Sequence, residues 1–191
     1  MGNAYLDLRR IVDGRDYFVL TTNVDHQFQR AGFNKQRLFY TQGDYGLFQC
    51  SVPCHSRTYD NYDAVRQMVE AEKDLRIPTK LVPHCPVCGE PITMNLRIDG
   101  RFVEDDGWHS AARRYDAFVR KHAHDKVLYL EIGVGANTPG IIKYPFWRQV
   151  AENRNARYVQ LNLGSVIAPA RIAERSALYD GDAAKVISKL A

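Results

Sequence analysis

Short apolar runs that end in polar or glycine-containing loops recur along this chain. The runs lie at residues 17–20, 38–40, 127–132 and 157–161. Each has the length and composition of a buried strand, and each leads into a loop that carries Asn, Gln or Gly. The pattern therefore predicts buried strands that deliver polar residues at their carboxyl ends.

Helical periodicity separates these strands. Apolar residues recur at spacings of three and four over residues 110–122, segments 145–150 and 183–190 repeat the pattern, and a short helix is predicted at 4–12. Alternation of strands and helices predicts an α/β fold, with a partial Rossmann-like parallel sheet that has helices on both faces. Ligands of such sheets bind beyond the carboxyl ends of the strands, so we expect the functional residues there.

The region from residue 50 to residue 108 interrupts this alternation. It contains a predicted helix at 60–74 and two pairs of cysteines. It also contains Asp99-Gly100 between alternating apolar residues, which predicts a β-hairpin over 95–102. We therefore predict three parts: an N-terminally incomplete first half of the Rossmann-like domain at 1–49, an inserted small zinc-binding module at 50–108, and the second half at 109–191.

The four cysteines form two close pairs, Cys50 with Cys54 and Cys85 with Cys88. The second pair has the spacing of a zinc knuckle, and the three residues inside the first pair are tolerated by the same geometry. Four thiolates complete a tetrahedral Zn²⁺ shell and leave no open position, so the predicted metal is structural. Unligated cysteines or a disulfide are the alternatives.

Composition and charge narrow the class of protein. The 191 residues are 45% hydrophobic and 25% charged, with a formal net charge of +4 and a pI near 8.9. This composition is globular, and the mild positive charge agrees with an anionic ligand. The basic residues are dispersed, which disfavours nucleic acid as a partner. No apolar run approaches the ~20 residues of a membrane helix and no secretory pattern opens the chain, so we expect a cytoplasmic protein without membrane association.

Three short strings follow one another in an order typical of a known family. They are Thr-Thr-Asn-Val-Asp at 21–25, Gln42-Gly43 with Cys50 eight residues beyond the glutamine, and Gly-Val-Gly at 133–135. This order resembles the sirtuin family of NAD-consuming protein-modifying enzymes, over nearly the whole chain. With the longer strings Thr-Gln-Gly-Asp-Tyr-Gly and Gly-Val-Gly-Ala-Asn-Thr-Pro, the chain looks like the class M branch, which is linked to macrodomain proteins and transfers ADP-ribose to proteins.

The resemblance implies that the loops bind NAD. Asn23 would contact the ribose on the nicotinamide side and take part in catalysis, and Asp25 would accept a hydrogen bond from the carboxamide, with Thr22 in the same loop. The adenosine half of NAD would be bound by a second group: Gly133, Val134, Gly135, Asn162 and Ala183. Helix capping by Asn23 and Asp25, and turns or caps in the second group, are the alternative explanations.

Gln42 stands where deacylating sirtuins have a histidine that acts as general base. An amide donates and accepts hydrogen bonds but cannot carry the proton. The resemblance therefore implies an NAD-dependent protein ADP-ribosyltransferase in which Gln42 orients the ribose or the acceptor. A lipoyl-carrier protein is the expected acceptor, and a macrodomain protein is a further expected partner. The alternatives are weak deacylation, and binding of NAD, ADP-ribose or a protein without turnover.

Two further expectations come from the resemblance. Sirtuins begin with a Gly-Ala-Gly segment that wraps the diphosphate, and nothing of that kind precedes Tyr17, so we expect impaired NAD binding. The acceptor of a sirtuin lies as a strand, and segment 102–108 is the matching edge here, although its acidity also suits a solvated loop. The sequence assigns no partner to four histidines: His26, His55, His84 and His109.

Overall fold

Helices and strands alternate along much of the chain, as the periodicity predicts. The computed structural model describes residues 3–135 and 138–191. In chain order its main elements are α1 (Asn3–Ile11), β1 (Val19–Thr21), α2 (Gln27–Arg30), β2 (Leu38–Tyr40), β3 (Gly43–Cys50), β4 (Thr58–Asp60), α3 (Tyr62–Ala71), β5 (Ile92–Leu96), α4 (Asp106–Lys121), β6 (Leu128–Ile132), α5 (Lys143–Glu152), β7 (Arg157–Asn162), β8 (Ser176–Asp180) and α6 (Ala183–Leu190). No helix in the described ranges combines the length and apolar character needed to cross a membrane.

The chain divides into two compact units. Unit 1 contains the residues up to Thr21, Gln27–Phe39 and Arg113–Ala191. Unit 2 contains Thr22–His26 and Tyr40–Ala112. Each unit has its own sheet, and the loop residues singled out from the sequence are divided between the two.

Unit 1 is built on a parallel sheet in the order β6-β7-β8, and β1 and β2 pair in a separate two-stranded sheet. Leu130 of β6 lies beside Val159 of β7, which lies beside Ala177 of β8. The α/β fold with parallel strands that the sequence predicts is therefore confirmed. Strand β8 was not predicted; its apolar run spans only residues 177–179, and Leu178 and Tyr179 are each 42% exposed.

Helices α1 and α6 pack on a hydrophobic cluster of unit 1. Leu8 from α1 and Ile187 from α6 are buried with Leu161 of β7 and with Phe33. Helix α6 begins at Asp182, whose carboxylate accepts a backbone N–H of the first turn at 2.9 Å. Burial of an apolar side chain of this size contributes about 1.5–3 kcal/mol, so the cluster is a main source of stability for unit 1.

A buried ionic network links β6, β7 and α5 inside unit 1. The carboxylate of Glu131, which is 1% exposed, forms an ion pair with Lys143. It also accepts hydrogen bonds from Tyr158 at 2.7 Å and from Gln160 at 2.9 Å. Burial, and then the bond to Glu131, raise the pKa of Tyr158, which keeps the phenol protonated as a donor. The Gln160 amide oxygen accepts the Ile167 N–H at 2.8 Å, so the network also holds the loop after β7.

Unit 2 contains an antiparallel sheet in the order β4-β3-β5. Phe48 of β3 lies beside Tyr59 of β4 on one side and beside Met94 of β5 on the other. The central strand β3 was not predicted, because its sequence contains two glycines and two polar residues and shows no simple alternation. Its pairing on both sides supplies the stability that its local sequence does not indicate.

The hairpin predicted over 95–102 is wrong. Strand β5 pairs with β3 and ends at Leu96, and the Asp99-Gly100 dipeptide lies in a turn without a returning strand. Asp99 stabilises this turn by accepting the Arg101 N–H at 2.8 Å and the Arg101 guanidinium at 2.7 Å. The Asp-Gly signal therefore marked a turn correctly, but tertiary pairing determined which strands it connects.

The buried ion pair generates a stability prediction. Lys143→Met should lower the free energy of unfolding by about 3 kcal/mol, because it leaves the Glu131 carboxylate buried without a cation. The double variant Glu131→Gln with Lys143→Met should recover at least half of that loss, because no unpaired charge remains. Urea unfolding measures both, and exposed Lys126→Met is the matched control. A double variant as unstable as Lys143→Met would contradict the assignment.

Candidate functional site

The four cysteines of unit 2 come together. Their sulfur atoms all lie within 4.8 Å of one another, with Cys50 Sγ 3.5 Å from Cys88 Sγ and Cys54 Sγ 3.7 Å from Cys85 Sγ. Tetrahedral Zn²⁺ with Zn–S bonds of about 2.3 Å requires sulfur separations of about 3.8 Å. A disulfide requires about 2.05 Å. The geometry therefore fits a four-thiolate zinc centre and excludes the disulfide alternative.

Backbone N–H groups stabilise the thiolate form of two of these cysteines. The N–H of Cys54 is the main cause that lowers the pKa of Cys50 to about 7. Burial acts to raise the pKa of Cys85, but the N–H groups of Cys88 and Val87, together with hydrogen bonds to the thiols of Cys88 and Cys54, make the net shift downward. Thiolates are the form that binds Zn²⁺, so the turns support metal binding as well as positioning the ligands.

His55 lies directly against this centre, although the sequence assigned it no partner. Its Nε2 is 3.4 Å from Cys85 Sγ and 3.0 Å from the Tyr59 hydroxyl, and its Nδ1 accepts the Arg57 N–H at 3.1 Å. A ring nitrogen that accepts a backbone N–H leaves the other nitrogen protonated. The Nε2 N–H of His55 therefore faces both the Tyr59 hydroxyl and the Cys85 sulfur, and residues around metal ligands commonly make such contacts.

Gln42 lies in a tight turn between β2 and β3. Its carbonyl oxygen accepts the Arg97 N–H at 2.9 Å, and the neighbouring Thr41 carbonyl accepts the Trp108 indole N–H at 3.2 Å. Gly43 has φ 104°, and a Cβ there would lie 2.0 Å from the Asn95 carbonyl oxygen. Only glycine fits at position 43, so the backbone of this turn requires the residue that follows Gln42 to be glycine.

The loop with Asn23 and Asp25 follows β1 and belongs to unit 2 with Gln42. Both side chains are exposed and Thr22 is half-buried. The Val24 carbonyl accepts the Tyr45 N–H at 3.2 Å, which fixes the loop to β3. Four of the residues predicted from the sequence are thus carried by two adjoining segments of unit 2.

One pair in these segments was missed from the sequence. His26, for which no partner was found, hydrogen-bonds through Nε2 to Oδ1 of Asp44, a residue only 6% exposed. The same carboxylate oxygen accepts the Gly46 N–H at 2.7 Å. No sequence pattern joins residues that lie 18 positions apart on a loop and a strand.

Segment 102–108, predicted as an edge for an acceptor strand, is held by internal contacts of unit 2. The Val103 N–H donates to Gln49 at 2.9 Å and its carbonyl accepts from Asn95 at 2.9 Å. Asp105 caps α4 by accepting the Trp108 N–H at 2.7 Å. The backbone N–H and carbonyl of Val103 are therefore already hydrogen-bonded within unit 2. Asp105, one of the acidic residues that suited a solvated loop, is a helix cap.

The residues predicted for the adenosine half lie together in unit 1. Gly133, with φ 65°, donates its N–H to the Leu161 carbonyl at 2.9 Å. The Asn162 amide donates to the Val134 carbonyl at 3.4 Å, and the Asn162 carbonyl accepts the Gly181 N–H at 2.7 Å. Gly135 follows in the same loop and Ala183 opens α6. Ala136 and Asn137 of the same string lie outside the described residues.

These contacts gather the second group at the carboxyl ends of β6, β7 and β8. Parallel strands bring their carboxyl ends to the same edge of the sheet, which is where such folds bind ligands. Backbone N–H groups and small residues at this edge suit the close approach of a ribose or phosphate.

Proteins with similar sequences include ADP-ribosyltransferases. No protein-family model matches the chain. A protein ADP-ribosyltransferase of Staphylococcus aureus is 41% identical over 189 residues, covering 98% of this chain and 60% of that protein. A Fusarium oxysporum f. sp. cubense protein named "Probable bifunctional ADP-ribose hydrolase/ADP-ribosyltransferase" is 30% identical over 139 residues, covering 69% of this chain and 23% of that protein. The chain thus spans about 60% of the length of the bacterial relative.

Solved structures share the fold at low identity. Sir2 bound to an acetylated peptide has a TM-score of 0.66 and 21% identity, covering 98% of this chain and 68% of that one. A Sir2 mutant with a p53 peptide and NAD has a TM-score of 0.63, 21% identity and the same coverage. A Sir2 homologue in an ADP-ribose complex has a TM-score of 0.61 and 18% identity, covering 98% of this chain and 63% of that one. The expected resemblance to sirtuins is therefore confirmed at the level of the fold.

The cysteine centre generates a metal prediction. The purified chain should carry about one Zn²⁺, and Cys50→Ser should lose most of it, because three thiolates no longer complete the tetrahedral shell. The variant should also unfold at lower urea concentration, since zinc binding and folding are coupled. Elemental analysis and urea unfolding measure the two effects, with Ser51→Ala as the neighbouring control. Full zinc content in Cys50→Ser would contradict a four-cysteine site.

Proposed function

We propose that this chain, which has the Sir2 fold and is similar over nearly all of its length to a protein ADP-ribosyltransferase, is the NAD-using part of a class M sirtuin-type ADP-ribosyltransferase. The observation that carries the proposal is Gln42. It occupies a backbone-clamped turn at the position where the resemblance places the deacylase histidine. The clamp supports a positioning role, because the side chain projects from a turn with little freedom to move.

Nucleotide binding is proposed for both groups of loop residues. Asn23 and Asp25 are proposed to hold the ribose and carboxamide of the nicotinamide half, with Thr22 beside them. Gly133 to Gly135, with Asn162 and Ala183, are proposed to receive the adenosine half. The exposure of Asn23 and Asp25 and the clustering of the second group at one sheet edge support these roles. Sir2 structures solved with NAD and with ADP-ribose share this fold.

The proposed chemistry transfers ADP-ribose from NAD to a nucleophile on an acceptor protein. Nicotinamide leaves from the anomeric carbon of the ribose, and positive charge develops on the sugar. Asn23 is proposed to orient the ribose, and Gln42 to orient the ribose or the acceptor through hydrogen bonds that cost little reorganisation. An amide at position 42 cannot serve as the base that deacylation requires, so transfer is favoured over deacylation.

The metal centre is proposed to be structural. Cys50, Cys54, Cys85 and Cys88 would hold Zn²⁺, which stabilises the turns that carry them and supplies no open coordination position. His55 would support the thiolate of Cys85. No step of the transfer passes through this centre.

The acceptor and partners are proposed at the level of protein class. We propose a lipoyl-carrier protein as acceptor, from the resemblance to the class M branch, and a cytoplasmic location. A macrodomain protein is proposed as a second partner. The name of the Fusarium relative, which combines an ADP-ribose hydrolase with an ADP-ribosyltransferase, supports this pairing.

Transfer is tested with NAD labelled in the adenylate and a lipoylated carrier protein. The unchanged chain should label the carrier and release nicotinamide in equal amounts. Gln42→Ala and Asn23→Ala should each reduce the rate by about 10²-fold, because each removes a preorganised hydrogen-bonding group. Gln67→Ala, which changes an exposed glutamine on α3 of the same unit, should transfer at the unchanged rate.

Two results would replace this proposal. Saturable ADP-ribose binding without nicotinamide release would favour a binding domain that does not turn over. Removal of acetyl groups from an acetyl-lysine peptide, faster than carrier labelling, would favour a deacylase.

A further inference from the structure

His26 and Asp44 form a dyad that the proposed chemistry has not yet used. We infer that His26 takes the proton from the attacking nucleophile of the acceptor protein during transfer, and that Asp44 positions the His26 ring. The inference rests on the proposed function. It gives the reaction a base that Gln42 cannot provide.

The hydrogen bonding of the pair leaves one ring nitrogen of His26 available to accept a proton. Nε2 bonds to Oδ1 of Asp44, which is only 6% exposed and also accepts the Gly46 N–H at 2.7 Å. A carboxylate accepts hydrogen bonds, so the neutral ring carries its proton on Nε2 and its lone pair on Nδ1. This arrangement orients a histidine and stabilises the imidazolium that forms when Nδ1 is protonated.

The backbone at His26 and Gly46 has features that allow the ring of His26 to reach Asp44. His26 has φ 57°, a left-handed conformation that is unfavourable for a residue other than glycine. A Cβ on Gly46 would lie 2.8 Å from His26 Cε1, so only glycine lets the ring approach β3 this closely. Strain of this kind persists where the surrounding structure holds a side chain in place, and it concentrates at functional sites.

Sequence position places the dyad within the candidate site. His26 directly follows Asp25 and is three residues from Asn23, and Asp44 is two residues from Gln42. The side chain of His26 is 38% exposed, so a substrate can reach the ring. The dyad is therefore built from the same two segments that carry the proposed nicotinamide-side residues.

The other histidines of unit 2 have different surroundings. His55 contacts Cys85 and Tyr59 at the cysteine centre, and His84 bonds to the Gly89 carbonyl at 3.0 Å. His109 lies exposed on α4 against the Trp108 ring. Among the residues described in unit 2, His26 is the histidine paired with a carboxylate.

The proton balance of the step is complete with these groups. The bond between the anomeric carbon and nicotinamide breaks, and its electron pair leaves with nicotinamide. The acceptor nucleophile forms the new bond to that carbon and gives its proton to Nδ1 of His26. The imidazolium, paired with the Asp44 carboxylate, then returns the proton to solvent. No oxidant or reductant takes part.

His26→Gly tests the inference, because glycine accepts the positive φ and removes only the ring. Transfer from NAD to a lipoylated carrier should fall about 10²-fold, the usual contribution of a general base. NAD affinity by calorimetry and zinc content should stay at the unchanged-chain values. Added imidazole should restore a measurable part of the rate by occupying the space beside Asp44, whereas it should not restore Asn23→Ala.

Two further variants separate positioning from packing. Asp44→Asn should lower the rate at least tenfold with unchanged NAD affinity, because the amide can still accept the Gly46 N–H but no longer stabilises the imidazolium. His109→Asn should transfer at the unchanged rate.

Four outcomes would overturn the inference. A His26→Gly chain that transfers at the unchanged rate would show that no base is needed there. A loss of rate that follows a loss of NAD affinity or zinc would show a structural role, and failure of imidazole to restore any rate would exclude proton transfer by the ring. If the unchanged chain releases no nicotinamide, the proposed function is wrong and this inference fails with it. This outcome can be told apart from the other three because it is seen before any residue is substituted.

Discussion

Strand β3 is the element on which the candidate site depends, because it connects the cysteine centre to the turn that carries Gln42. Gly43 is its first residue and Cys50 its last. The strand is bulged between Asp44 and Phe48, and Gly43 and Cys50 lie beside Leu96 and Ile92 of β5, so its two ends are about four strand residues, or roughly 13 Å, apart. The cysteine centre is therefore separated from the Gln42 turn by the length of the strand, and we propose that its effect is to fix the end of the strand. Between these ends β3 also carries Asp44 and the buried Gln49.

Buried polar groups specify the arrangement in both units. In unit 2, Gln49 and Asn95 hydrogen-bond to each other at 2.8 Å and to the backbone of Val103. In unit 1, Glu131 accepts from three side chains, one on α5 and two on β7. Satisfied networks of this kind tolerate few alternative registers, because a shift would leave a buried donor or acceptor unpaired. They therefore fix the positions of the loops at the strand ends more narrowly than apolar packing alone would.

The roles proposed for Gln42 and for the dyad of His26 and Asp44 belong to one reaction, the proposed transfer of ADP-ribose. An amide on a clamped turn orients a substrate but does not titrate. Transfer of ADP-ribose to a protein nucleophile still releases a proton, and a histidine oriented by a buried carboxylate can accept one. In the proposed reaction, orientation and proton acceptance belong to different side chains on adjoining segments, whereas a single histidine would combine them.

The sequence by itself determined the elements whose signals are local. The strands at 38–40, 127–132 and 157–161 and the helices at 110–122 and 183–190 follow from apolar periodicity, and the cysteine set follows from spacing. These features depend on neighbours within a few residues, which a sequence displays directly. The roles proposed for Asn23, Gln42 and Asn162 came from family resemblance and remain proposals.

Only the tertiary structure decided the features that join distant positions. Strand β3, the pairing of β5, the His26–Asp44 dyad and the Glu131–Lys143 pair each depend on partners far along the chain. A strand with two glycines is stabilised by the strands on either side of it, and an Asp-Gly turn does not state which strands it joins. Likewise, a histidine becomes a candidate base only when the fold brings a buried carboxylate to its ring, because the pairing energy exists between atoms and not between sequence positions.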